Sequence, residues 1–110
     1  MGEYLRVKNK AIEELGIDES VFDELLACFV PEAEAEIEKL DEAIKTEKFD
    51  EIAGIGHSLK GMAGNLRITL MQVTAKALET SAKESKVISE IKERIAELKQ
   101  SLAEIKLWIK

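Results

Sequence analysis

His57 is the only histidine among the 110 residues, and four of the six glycines, Gly54, Gly56, Gly61 and Gly64, stand within the eleven positions around it. A glycine inside a helix costs roughly 1 kcal/mol relative to alanine, so folding alone gives no reason for this cluster. On a 3.6-residue wheel Ile52, Ile55, Leu59, Met62 and Leu66 fall within about 40° of the side opposite His57. Asp50, Ala53, Gly54, Lys60, Gly61 and Gly64 fall within about 60° of His57 itself. The imidazole is therefore expected to face water from a surface stripped of bulk, with the Lys60 cation one turn away. A neutral imidazole is a good nucleophile, and a neighbouring ammonium can balance an anion bonded to it. The small residues Ala53, Gly54, Gly61 and Gly64 would let a partner's backbone approach the ring. This combination suits a phosphoryl acceptor; the plainer alternative is an ordinary surface histidine.

Other chemistry finds less support. Cys28, the single cysteine, lies among Leu25, Leu26, Phe29 and Val30 and is expected as a buried thiol of a reducing compartment, with no partner for a disulfide. A carboxylate-bridged di-metal bundle needs a Glu-x-x-His motif on each of two helices, but the chain has one histidine, with Gly54 where the Glu would stand. No metal site is expected. Glu32, Glu34, Glu36 and Glu38 point in successive directions around a helix and read as a solvated face.

The elements that must position His57 are helical. A first, loosely patterned helix spans 3–15, with Leu5, Ile12 and Leu15 on one side and Gly16 ending it. Asp18 or Ser20 can cap a second helix, Ser20 with Asp23 in a capping-box pattern, whose face carries Phe22, Leu26, Phe29, Ala33, Ile37, Leu40 and Ile44. Pro31 predicts a kink or brief break near Val30. Thr46 can cap a helix from about Glu47 to Leu66, and Thr69 with Gln72 forms a capping box for another reaching about Glu84. Ile88, Ile91, Ile95, Leu98, Leu102, Ile105 and Ile109 repeat at three-four spacing, giving a last helix of about 23 residues with a continuous seam. The fold class is all-α: an antiparallel up-down-up-down four-helix bundle with an additional N-terminal helix. Residues 1–15 form the helical extension and 16–110 the bundle. The seam of the last helix fits a bundle core, or alternatively a dimeric coiled coil.

Composition excludes several classes. One proline, five aromatics and 45% apolar residues do not fit a fold of many short strands, or a disordered chain. The formal charge is −6, and residues 32–51 alone carry nine acids and three lysines. Nucleic acid is not an expected partner, since phosphate backbones are bound by clustered Lys and Arg. No segment approaches the roughly 18 to 20 consecutive apolar residues of a membrane span, and the opening residues lack a signal-peptide core, so a cytoplasmic monomer is expected.

His57-Ser58-Leu59-Lys60-Gly61-Met62-Ala63-Gly64-Asn65-Leu66 resembles the H-x-L-K-G signature of histidine-containing phosphotransfer (HPt) domains. Ala75, Leu78 and Glu79 are similar to the A-x-x-L-E stretch of that family's next helix, and Leu15-Gly16-Ile17-Asp18 with Phe29 to its usual lead-in. The resemblance spans Gly16 to Lys110. It implies a phosphorelay intermediate in which His57 exchanges a phosphoryl group with a receiver-domain aspartate, or accepts one from a histidine kinase. Lys60 would neutralise phosphate charge, and Ala53, Gly54, Gly61 and Gly64 would admit the receiver's loops. The domain would hold no cofactor of its own; Mg²⁺ would come with the receiver, and the partner would supply most catalytic groups. The family commonly has glycine where this chain has Arg67, which would place a second cation near the docking rim. A helical adaptor or dimerisation module built on the last helix, without phosphorylation, is the alternative.

Overall fold

The computed structural model describes residues 2–109. Helix α1 spans Gly2–Leu15, α2 Glu19–Lys45, α3 Phe49–Asn65, α4 Thr69–Thr80 and α5 Ile88–Lys106, and a π-helical turn, Ser81–Ser85, extends α4. Helices α2 to α5 form an antiparallel up-down-up-down bundle, and with α1 the described residues measure 42 × 23 × 20 Å. Its register shows in paired residues. Asp41 binds Lys99 and Glu34 binds Lys106 between α2 and α5, and Gly56 packs on Glu79 while Gly64 meets Gln72 between α3 and α4. Phe22, Leu26 and Leu40 of α2 join Ile52 and Leu59 of α3, Met71 and Leu78 of α4, and Ile91, Leu98 and Ile105 of α5 in one core. The seam of α5 is thus consumed inside the bundle from Ile91 to Ile105, while Ile88 at its start is half-buried. No helix among the described residues is long and apolar enough to cross a membrane.

Helix α1 crosses one end of the bundle. It buries Tyr4, Val7, Lys8 and Ala11; of the expected side Leu5 and Leu15 stay exposed and only Ile12 packs partly against the core. The reason is the partner surface. The Tyr4 ring meets Trp108 at 5.7 Å, the Tyr4 hydroxyl donates to Asp23, and the buried Lys8 ammonium donates to Glu19 and Asp23. These bonds hold the Lys8 proton more tightly than usual, Glu19 contributing most.

Several local expectations are corrected. Pro31 breaks nothing: α2 runs unbroken through it. The carbonyl it leaves without a donor belongs to Ala27, exposed like Pro31 itself, so the lost bond falls on the solvent side while Phe29, Val30 and Ala33 hold both halves in register. Asp18, not Ser20, caps α2 by accepting from the Val21 amide, which lowers the Asp18 pKa. Thr46 ends α2 and caps no following helix; its hydroxyl donates to the Glu42 carbonyl. Thr69 is likewise the first residue of α4, and Ile68 before it stands at the cap position.

The two connections share one solution. Glu47 and Arg67 take left-handed conformations at φ 52° and 61°, and the Lys48 and Ile68 amides reach back to the carbonyls of Ala43 and Ala63. Both are Schellman endings built without the customary glycine. Cys28 is exposed, not buried, because the packed stripe of α2 runs through Phe22, Leu26, Phe29 and Ala33 and leaves it to one side. Helix α5 ends at Lys106, so Trp108 is buried and Ile109 is exposed. The chain turns there to seat the indole on Tyr4.

Candidate functional site

Helix α3 carries His57 near its middle, and of its expected apolar side Ile52, Ile55, Leu59 and, just past its end, Leu66 are buried, while Met62 is half-buried. The His57 side chain is 70% exposed. Beside it runs α4, at a separation fixed by Gly56. A Cβ on Gly56 would stand 3.0 Å from the Ala75 carbonyl oxygen and 3.0 Å from the Glu79 amide nitrogen, both backbone atoms. The absent side chain therefore lets the two helix backbones touch, which brings Glu79 level with His57.

Glu79 is the hub. Its side chain is 8% exposed; one oxygen accepts from the Lys60 ammonium at 2.8 Å, and the other lies 3.0 Å from His57 Nδ1 and 3.2 Å from the Lys83 ammonium. Lys60 does most to hold the Glu79 pKa down at about 2, with Lys83 and His57 adding to it against the opposing effect of burial. An ionised carboxylate can only accept, so Nδ1 carries the ring's hydrogen. In the neutral imidazole the lone pair then sits on Nε2. When Nε2 forms a bond to an electrophile, positive charge spreads to the Nδ1–H edge, next to the Glu79 anion, as in other carboxylate–imidazole pairs.

The remaining residues divide into two groups. Gly54 and Gly61 face open space on the His57 side, and Gly64 borders only the flexible Gln72 amide at 3.3 Å from where its Cβ would be. Ala53, expected on the open rim, is buried. With Gly56 and Lys60 it forms an i, i+3, i+7 stripe turned toward α4. Lys60 is largely covered and already paired with Glu79. Arg67 is no free rim cation: its guanidinium donates to Glu14 of α1 at 2.6 Å and to the Gly64 carbonyl at 2.9 Å.

Three residues escaped the sequence reading as parts of the site: Glu79 as the imidazole's partner, Gly56 as the helix spacer, and Lys83. Gly56 left a signal, since it lies about 100° from His57 on the wheel and cannot serve the same open face as Gly61. Among curated proteins, none matches this chain. The family model described as Hpt domain matches residues 24–108, which takes in α3, α4 and the His57–Glu79 pair and leaves α1 outside. By that match over most of its length the chain belongs to the Hpt domain family, the phosphotransfer modules of two-component signalling.

Proposed function

We propose that His57 accepts a phosphoryl group on Nε2 and exchanges it with the aspartate of a receiver domain. The observation that carries this reading is the pairing of Nδ1 with the buried, ionised Glu79, which leaves Nε2 as the exposed nucleophile. In the forward step the Nε2–P bond forms as the P–O bond to the aspartyl carboxylate breaks, and that carboxylate leaves as the anion. Glu79 orients the ring and stabilises its developing charge. Gly54, Gly61 and Gly64 leave room for the receiver's loops, and Lys60, held at the edge of the site, adds positive potential toward the phosphoryl oxygens. The receiver brings Mg²⁺ and its own lysine, so this chain acts as a positioned nucleophile and not as a complete enzyme. A histidine kinase could load the same nitrogen.

The test is incubation with receivers phosphorylated by a small-molecule donor. Label should move to the wild-type chain, be acid-labile and base-stable, and be absent from His57→Gln. Retention of such label by His57→Gln would end the reading.

A further inference from the structure

A second surface lies at the end of the bundle crossed by α1. Val73 of α4 is 61% exposed and Leu107, just past α5, is 79% exposed, although neither serves the His57 face. Two adjoining shallow cavities, of about 470 and 240 Å³, run from Thr69, Leu70, Val73 and Thr74 to Leu107 and Trp108, and Glu3 and Glu104 line both. Among the described residues no lysine or arginine lines either one. Glu3 is accompanied by Arg6, so the charge offered to an incoming group is chiefly that of exposed Glu104. Val73 and Leu107 stand on either side of the two carboxylates that the cavities share, so an incoming helix finds aliphatic contact and negative charge together. Leu70 and Val73 share one edge of α4, at the i, i+3 spacing that meets a helix laid across it.

We propose that this groove docks an amphipathic helix of a protein partner whose aliphatic edge is flanked by Lys or Arg. The groove is separate from the phosphotransfer face. On α4, Gln72 and Glu79 are turned to α3, whereas Thr74 bonds Ser101 of α5 on the side where the groove opens. A helix held there lies off the α3 face that carries His57.

The test is a titration of the ¹⁵N-labelled full chain with a short helical Leu/Lys peptide and with its Leu/Glu counterpart, followed by amide shifts. The basic peptide should shift the amides around Leu70, Val73, Glu104 and Leu107. Its affinity should fall about tenfold or more in Val73→Ser/Leu107→Ser, and should lose much of its salt dependence in Glu104→Gln. All three positions are exposed, and unchanged melting of the variants will show that the fold is intact. Equal binding by the acidic peptide, equal binding to the variants, or shifts centred on the acidic face of α2 would overturn the proposal. So would shifts on this face that appear on concentration of the protein alone, which would make a second copy the occupant.

Discussion

Glu79 changes what Lys60 and His57 can do, because its single negative charge is shared by three cationic or protic groups. Glu79→Gln keeps an acceptor for Nδ1–H but removes the anion that stabilises charge on the ring. Transfer should slow by about ten- to a hundredfold, the range of roughly 1.4 to 2.7 kcal/mol for a charged contact felt in the transition state. Lys60→Ala should slow transfer by a similar factor. Since Lys60 also holds Glu79 in place, the double variant should be less impaired than the product of the two single effects. Rapid-quench kinetics at saturating phospho-receiver will measure this coupling. Strict additivity would mean that Lys60 acts on the phosphoryl group alone.

At the scale of elements, the α3 glycines separate by what a side chain would meet. Gly56→Ala drives its Cβ into the α4 backbone and should cost about 1 to 3 kcal/mol, with His57 and Glu79 drawn apart. Gly61→Leu enters open space and should raise stability by up to about 1 kcal/mol while blocking transfer. Chemical melts beside transfer assays will read both; a stable Gly56→Ala with normal transfer would remove the spacer role. The Arg67 turn yields another pair. Arg67→Ala keeps the left-handed residue without its contacts to Glu14 and Gly64, whereas Arg67→Gly also relieves the backbone, so the glycine variant should be the more stable by about 1 kcal/mol.

The exposure of His57 was legible because it depends only on the period of one helix, and the α5 seam was legible for the same reason. The His57–Glu79 contact depends on how α3 and α4 slide past each other, which Gly56 decides and no single-helix pattern reports. Sequence alone misplaces the helix starts at Thr46 and Thr69, because left-handed Glu47 and Arg67 look like neither caps nor turn residues.

For the whole molecule the clearest consequence is a dependence on acid. Glu79 titrates near 2 when folded, against 4.5 for the ordinary side chain. Its contribution to stability is therefore full above about pH 4.5 and is lost as pH falls toward about 2, amounting to up to about 3 kcal/mol. The lowered pKa of Asp18, whose chief cause is the Val21 amide, works in the same direction. Lys8 has the opposite sign. Its raised pKa gives stability that persists through neutral pH and fades only in strong alkali. Urea unfolding at neutral pH and near pH 3 should show a smaller acid loss for Glu79→Gln than for the wild type. An equal loss would mean that other carboxylates carry the acid sensitivity.

The most direct measurement is a long-range ¹H–¹⁵N correlation spectrum of the single imidazole, recorded before and after transfer from a phosphorylated receiver. Before transfer, Nδ1 should appear protonated and Nε2 unprotonated at a pH where the ring is neutral. After transfer, ³¹P coupling should appear at Nε2 while Nδ1 keeps its proton beside Glu79. A phosphoryl group on Nδ1, or a resting ring protonated on Nε2 instead, would contradict the role given to Glu79 and the identity of the nucleophilic nitrogen.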